Sequence, residues 1–378
     1  MVSVRAGAAP GSALLIVHIG TQKTGTSALQ GYLSANSEPL ARQGIRYIEA
    51  GRRWGNHSSH GELAQSVLGR ADGSVWNEVR RELTASKSRV NLISAEGFWF
   101  ADPATLKAQL SSISDVRIVV YLRRQDKYLQ SLWKQAVTGG RKHDFNLWRE
   151  RLPHRGDYFS TVEKWAEQFG AESIIVRPYE RNGVVNTIED FCRIIDARDI
   201  PVQPNVGRNP SPRRELLHFI RAFNHLNVNV DRHQLFRALV FKNSEYVRSC
   251  DMLSHAEAVA LMNLYAEGNQ RLIEKYYRDP SSPLFPELTE AAPSPVWGVE
   301  SEEFMKLTVD VLDVLVQLAA SGSIAVEPKG SRTGEAAKPG AARKLDRSQR
   351  ALRKAAREAR SGRGAPARPN GREPASSA

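Results

Sequence analysis

Residues Leu14 to Leu29 read LLIVHIGTQKTGTSAL, an apolar run followed by a glycine-bracketed turn and the start of a helix. The apolar run predicts a buried strand, and Gly20 and Gly25 allow the chain to turn so that successive backbone N–H groups point into one concavity. Thr26 and Ser27 fall at the predicted helix start, where hydroxyls and the positive end of the helix favour an anion. The stretch predicts a phosphate-binding loop, with an ordinary strand-to-helix turn as the alternative.

The position of the lysine distinguishes this loop from that of a nucleotide triphosphatase. Such an enzyme has its lysine directly after the second glycine, in the pattern GxxxxGK[ST]. Here Thr26 follows Gly25, and the lysine is Lys23, inside the loop. The pattern therefore predicts phosphate binding without the ATP-handling signature.

The rest of the chain predicts an α/β fold. Near-continuous apolar runs at 90–95, 117–122 and 173–178 are typical of parallel strands covered on both faces. Apolar residues at helical intervals predict helices over 27–43, 126–138, 213–226, 255–277 and 301–320. We expect a P-loop fold of three α/β/α layers with a mostly parallel central sheet and a helical C-terminal extension.

The composition changes at both ends of the chain. We expect a disordered start over 1–12 and one domain over 13–325, with an α/β core over 13–200 and a mainly helical part over 201–325. The Ala-, Gly- and Arg-rich segment 326–378 has lost its large apolar residues, which predicts a basic disordered tail.

The net charge of +12 is concentrated in that tail. Residues 327–378 hold 14 Lys or Arg and 5 Asp or Glu, which leaves 39 basic against 36 acidic residues upstream. A nearly neutral folded part argues against specific nucleic-acid binding. The tail is either a solvated segment or a contact for anionic membranes or polyanions.

Nothing in the sequence indicates export. Two cysteines make a disulfide framework improbable, no apolar stretch approaches the roughly 20 residues of a membrane span, and residues 1–12 lack the pattern of a secretory signal. We therefore expect a cytoplasmic protein.

A second pattern, VVYLRRQDKYLQSLW over Val119 to Trp133, places Arg123 at a strand end and Ser131 eight residues later on a helix. Ligands of open parallel sheets bind at the carboxyl ends of strands. The guanidinium of Arg123 offers a fork of donors suited to phosphate, with the Ser131 hydroxyl as a further donor. The alternative is that Arg123 and Arg124 are solvated turn residues.

Together these two patterns resemble the sulfotransferase superfamily, most closely its bacterial and carbohydrate-type members. That family binds 3′-phosphoadenosine 5′-phosphosulfate (PAPS) through a TxPKSGTT-like loop and a strand followed by R-x7-S. The resemblance implies that the 5′-phosphosulfate is held by the loop residues Gly20, Thr21, Gln22, Lys23, Thr24, Gly25, Thr26 and Ser27. It implies that Arg123 and Ser131 hold the 3′-phosphate. Gln22 replaces the family's usual proline, and no RKG triplet is present.

Two weaker fragments extend the resemblance. RPYERN at 177–182 looks like the family's YEDL segment, which implies that Tyr179 lies near the adenine. NVGRNPSPRRELL at 205–217 looks like an Asn/Ser-rich segment of the bacterial members, in which Arg208 is a candidate further contact to the 3′-phosphate.

Sulfuryl transfer requires an aligned acceptor hydroxyl and stabilised charge on the leaving oxygen. We expect Lys23 to neutralise the charge on that oxygen. We expect no metal, because the strand before Arg123 does not end in the Asp that holds Mg²⁺ in P-loop ATPases. Glu96, at the end of the strand VNLISA, is the candidate general base, since the aromatic residues beside it would raise its pKa. A structural carboxylate is the alternative role, and His57 and His60 are competing candidates for the base.

The sequence therefore predicts a PAPS-dependent sulfotransferase that acts on a hydroxyl group of an acceptor such as a saccharide or a glycolipid. Two alternatives remain open: a P-loop nucleotide kinase or nucleotidase, and a non-catalytic nucleotide-binding relative.

Overall fold

The computed structural model describes most of the chain between Leu14 and Val326. The described residues are 14–52, 57–179, 187–201, 211–225, 228–230, 235–236, 238–239, 242–243, 246, 251–279, 282–289, 301–321 and 324–326. The chain divides into two compact units, Met1–Val326 and Glu327–Ala378, and every described residue belongs to the first. The predicted start over 1–12 and the tail from 327 onward lie outside the described residues.

A five-stranded parallel sheet forms the centre of the first unit. Its strands are β1 (Leu14–His18), β2 (Ile45–Tyr47), β3 (Val90–Ser94), β4 (Val116–Leu122) and β5 (Ile174–Pro178), in the order β2-β3-β1-β4-β5. His18, the last residue of β1, is in register with Ser94 of β3 and Val119 of β4. The loop after β1 therefore leaves the sheet between two neighbouring strand ends, the position where open α/β sheets bind ligands.

Helices cover both faces of the sheet. They are α1 (Thr26–Ala35), α2 (Ser37–Arg42), α3 (Gly61–Val67), α4 (Val75–Ala85), α5 (Pro103–Gln109), α6 (Gln125–Thr138), α7 (Phe145–Glu150), α8 (Tyr158–Phe169), α9 (Thr187–Ile194), α10 (Arg214–Phe223), α11 (His255–Asn263), α12 (Ala266–Tyr276) and α13 (Glu302–Ala320). Short 3₁₀ helices span Glu96–Phe100, Pro153–Gly156 and Ala171–Ser173.

Alternating side chains of β1 pack into two separate cores. Leu15 and Val17 join the core that contains α6 and α8, whereas Leu14 and Ile16 join the core that contains α1 and α9. Because successive residues of a strand point to opposite faces, a strand covered on both sides must be apolar throughout. The predicted three-layer α/β/α class with a parallel central sheet is confirmed.

The structure corrects several predicted helix boundaries. The helix predicted over 27–43 is two helices that meet at Asn36, because Pro39 lacks the N–H that a continuous helix would donate to Ala35. The helix predicted over 255–277 is likewise divided, into α11 and α12. Two short antiparallel strands, β6 (Val228–Val230) and β7 (Ile324–Val326), accompany the helices of the part that was predicted to be mainly helical.

The C-terminal helices pack against the helices of the α/β core. The Asn224 side chain, after α10, donates to the carbonyl oxygens of Val137 (2.8 Å) and Arg141 (2.9 Å) at the end of α6. On α12, Lys275 lies 2.6 Å from Glu163 of α8. The helical extension is thus joined to the layer that contains α6 and α8.

None of the helices in the described ranges combines the length and the apolar character needed to cross a membrane.

Candidate active site

The loop after β1 has the backbone of an anion site. Gly20, Lys23 and Gly25 have φ angles of 97°, 64° and 76°, and Gly25 caps α1 in the left-handed conformation. These angles turn the chain sharply and aim its amides inward. Within the described part of the chain, hydrogen-bond acceptors are lacking for the backbone N–H groups of Gln22, Thr24, Gly25, Thr26 and Ser27. The loop therefore presents a set of donors to a ligand at the N-terminus of α1.

Three buried threonines hold this loop in shape. The Thr24 and Thr26 hydroxyls donate to the carbonyl oxygen of Thr21, at 2.6 and 3.1 Å. The Thr21 hydroxyl donates to the carbonyl oxygen of Tyr121 on β4, at 3.2 Å. In this structure the Thr26 hydroxyl donates within the loop, and its contact with an anion stays a prediction. Ser27 is exposed on the first turn of α1.

Glu96 and Lys23 lie together at the end of β3. Glu96 begins the 3₁₀ helix that follows β3, and a Cβ placed on Gly20 would be 3.1 Å from its Cα. Burial raises the pKa of Glu96, and the charge of the nearby Lys23 partly offsets that increase. Both side chains are half-buried. The loop lysine and the predicted base therefore share one site, as the proposed chemistry requires.

Arg123 and Tyr179 meet beside Gly25. The Arg123 guanidinium lies 5.6 Å from the centre of the Tyr179 ring, and a Cβ on Gly25 would be 3.2 Å from Cε2 of that ring. The Tyr179 amide donates to the carbonyl oxygen of Leu122, at 2.8 Å, which fixes the exit of β5 against that of β4. Residues from the ends of β1, β4 and β5 are thus brought together. Ser131 lies half-buried in the second turn of α6, which begins two residues after Arg123.

The neighbouring arginine has a different environment. Arg124 pairs with Asp126 at 2.7 Å and donates to the carbonyl oxygens of Pro286 and Glu287, at 3.0 Å each. These bonds fasten the 282–289 segment to the start of α6. Arg124 is therefore not a solvated turn residue, whereas Arg123 is half-buried and lies over the Tyr179 ring.

His60 is part of the framework. Its Nδ1 accepts from the Ser94 amide at 3.1 Å, and its Nε2 lies 2.9 Å from the carbonyl oxygen of Ile48, to which it donates. The residue is fully buried, and burial lowers its pKa to about 3. Both ring nitrogens are committed to the backbone, so His60 has neither the exposure nor a free nitrogen to act as a base. His57 is exposed.

Beneath the loop lies a buried polar network, which sequence patterns did not indicate. His18 Nδ1 lies 2.8 Å from the Ser94 hydroxyl, and Gln30 of α1 donates to that hydroxyl at 3.1 Å. Burial lowers the pKa of His18 to about 3, so the ring is neutral. The network connects β1, β3 and α1, the three elements that position the loop.

Two further residues reach the site from parts of the chain without a motif. A Cβ on Gly25 would lie 3.4 Å from the hydroxyl oxygen of Thr187, the first residue of α9. Burial raises the pKa of Tyr128 on α6, and the nearby charge of Glu96 raises it further. A threonine at a helix start and a tyrosine in an apolar stripe are ordinary structural features, so no sequence signal singled them out. Arg208 lies outside the described residues.

Comparisons with known proteins were made for the whole chain. No protein-family model matches it. An uncharacterized protein of Archaeoglobus fulgidus is 30% identical over 169 residues, which are 43% of this chain and 46% of that protein. The chain thus spans less than half the length of this relative. A crystal structure of a sulfotransferase from Alicyclobacillus acidocaldarius is similar at a TM-score of 0.34 and 18% identity, over 63% of this chain and all of that chain.

Proposed function

We propose that this chain is a sulfotransferase that moves the sulfuryl group of PAPS to the hydroxyl group of an acceptor such as a saccharide or a glycolipid. One observation carries the proposal: the Lys23 loop, Arg123 and Tyr179 meet at one edge of the sheet, with Glu96 beside the lysine. A nucleotide that carries phosphate on both its 3′ and 5′ positions needs two cationic sites around one ribose, and Lys23 and Arg123 supply them.

In this proposal the amides of Gln22, Thr24, Gly25, Thr26 and Ser27 bind the 5′-phosphate, because these five have no acceptor within the described protein. Lys23 stabilises negative charge on the oxygen that bridges phosphorus and sulfur as that bond breaks. Arg123 binds the 3′-phosphate with Ser131, and the Tyr179 ring packs near the adenine. Preorganised donors of this kind act without reorganisation during the reaction.

Glu96 accepts the proton of the acceptor hydroxyl. The acceptor oxygen forms its bond to sulfur while the sulfur–oxygen bond to the nucleotide breaks, which releases 3′-phosphoadenosine 5′-phosphate (PAP). The pKa of Glu96, which burial raises, suits this role because a more basic carboxylate takes up the proton more readily. His60 is excluded from this scheme by its buried backbone hydrogen bonds.

A transfer assay tests the proposal. Wild-type protein is incubated with sulfate-labelled PAPS and extracts fractionated into lipid, saccharide and small-molecule pools. We expect label in one pool and a loss of at least a hundredfold in Lys23→Ala, roughly what one lost transition-state contact costs. Lys87→Ala is the control, since Lys87 is an exposed lysine between α4 and β3 that has no part in the scheme. Full turnover by Lys23→Ala would contradict the proposed mechanism.

A further inference from the structure

Two polar side chains beside Glu96 have no role in the proposed transfer. Tyr128 lies on α6, and Arg155 lies in the 3₁₀ helix Pro153–Gly156. Tyr128 is fully buried, yet its hydroxyl donates to no acceptor among the described residues. The same holds for Nε and Nη1 of Arg155, which are buried without an acceptor in the described structure.

Packing places both side chains around the segment that carries Glu96. The Arg155 guanidinium lies 4.6 Å from the centre of the Phe100 ring, and Phe100 ends the 3₁₀ helix that Glu96 begins. The Tyr128 ring packs 5.7 Å from that of Tyr158, which holds it in place. Burial raises the pKa of Tyr128 to about 12; the charge of Arg155 and a hydrogen bond from its side chain lower this pKa, and the charge of Glu96 raises it. The hydroxyl is therefore protonated at neutral pH and close to both charged groups.

Unpartnered buried donors are rare, because their desolvation is costly. A cation on an aromatic face explains why the Arg155 guanidinium sits over Phe100, but not why two of its nitrogens and a neighbouring hydroxyl lack acceptors. All three groups are donors, so the missing partner is an acceptor with several oxygens. A guanidinium and a phenol together match a carboxylate or a phosphate, because either anion has several oxygens that can accept from both groups at once.

We propose that Arg155 and Tyr128 bind an anionic group of the acceptor, a carboxylate or a phosphate, and thereby hold the acceptor hydroxyl against Glu96. The inference rests on the proposed sulfotransferase function and narrows its acceptors to negatively charged hydroxyl compounds. Arg155 offsets the repulsion that such a compound would meet from Glu96. Both residues are positioning residues for the reacting hydroxyl.

The test compares three probes: methyl β-glucoside, methyl β-glucuronide and the phosphate monoester of the glucoside. Sulfate transfer from PAPS is measured with wild-type protein, with Arg155→Gln, which removes the positive charge, and with Tyr128→Phe, which removes only the hydroxyl. Arg151→Gln is the matched control, because Arg151 is exposed and bonds only His143 at 2.8 Å among the described contacts. PAP affinity and melting temperature are measured for every variant.

We expect wild-type protein to favour one or both anionic probes over the glucoside by tenfold or more in kcat/KM, roughly the value of one charge-assisted hydrogen bond. The preferred probe identifies the anion as carboxylate or phosphate. Arg155→Gln should abolish the preference mainly through KM, Tyr128→Phe should reduce it, and Arg151→Gln should retain it.

Equal use of all three probes, no use of the anionic ones, or an unchanged preference in Arg155→Gln would overturn the inference. Failure of PAP to bind wild-type protein would instead refute the proposed function, so the two failures are distinguishable.

Discussion

Replacing Gly25 by alanine tests whether the loop conformation creates the anion site. Gly25 has a φ of 76°, and an added Cβ would lie 3.2 Å from Cε2 of Tyr179 and 3.4 Å from the Thr187 hydroxyl oxygen. A left-handed conformation costs an L-residue about 1–2 kcal/mol, and the close contact with the tyrosine ring adds to it. The chain must either keep this strain or move the loop away from its ligand-binding shape.

Both outcomes are measurable. We expect the free energy of unfolding to fall by about 1–2 kcal/mol if the loop stays in place. If the loop moves, we expect PAP affinity to fall about tenfold or more, since each factor of ten corresponds to roughly 1.4 kcal/mol. Chemical denaturation measures the first quantity, and isothermal titration calorimetry measures the second.

Gly31→Ala is the matched control six residues along the chain. Gly31 lies inside α1, and an added Cβ would meet nothing within 4 Å. Because alanine favours the helix over glycine, this change should stabilise the protein by about 0.5–1 kcal/mol and leave PAP binding unchanged. Wild-type stability together with wild-type PAP affinity in Gly25→Ala would refute the account of the loop.

Three further predictions concern charged and ionisable groups. Arg123→Ala should weaken PAP binding, measured by calorimetry, about tenfold to a hundredfold. Arg124→Ala should leave that affinity unchanged. It should lower the free energy of unfolding by about 3 kcal/mol, because the ion pair between Arg124 and Asp126 is largely buried. Glu96→Gln should lower kcat by about 10²–10⁴ and remove the acidic limb of the pH–rate profile, which in wild-type protein lies above the ordinary glutamate pKa; an unchanged profile would contradict the base role. His18 and His60 have pKa values of about 3 in the folded protein against 6.5 in the unfolded chain. The free energy of unfolding should therefore be at its full value above pH 6.5 and fall as the pH drops toward 3. Equilibrium denaturation measures it across that range, and a constant free energy would contradict the prediction.

The fold could be predicted because strand-forming residues and glycines carry strong local signals. Four strands of the sheet were predicted within one or two residues, since strands buried on both faces must be apolar. β2 has only three residues and follows a proline-broken helix, which leaves no pattern to detect. The order of the strands also has no local signal, because it depends on how the crossovers pack.

The site could be predicted only in part. Gly20, Lys23 and Arg123 follow strands in recognisable patterns, so their common edge followed from the topology of a parallel sheet. The Thr26 hydroxyl looked like a ligand donor, but its bond to the Thr21 carbonyl depends on the loop turning back on itself. His60 looked like a candidate base, and only the three-dimensional structure shows that its ring is buried between the Ile48 carbonyl and the Ser94 amide.

Residues without a motif reach the site through packing alone. Arg155 comes from a 3₁₀ helix after α7, and Tyr128 belongs to a stripe of apolar residues that marks it as a core residue. A sequence pattern reports the face that a side chain occupies but not whether its polar atom finds a partner. The unused donors of these two residues are visible only in three dimensions.

Titration of PAP into the wild-type protein by calorimetry tests the central claim most directly. The account predicts tight binding of one PAP per chain in the absence of Mg²⁺, because Lys23, Arg123 and the loop amides supply the positive charge and donors themselves. It also predicts that ATP with Mg²⁺ binds much more weakly, since ATP lacks the 3′-phosphate that Arg123 is proposed to hold. Binding of ATP that requires Mg²⁺, with no detectable binding of PAP, would contradict the account.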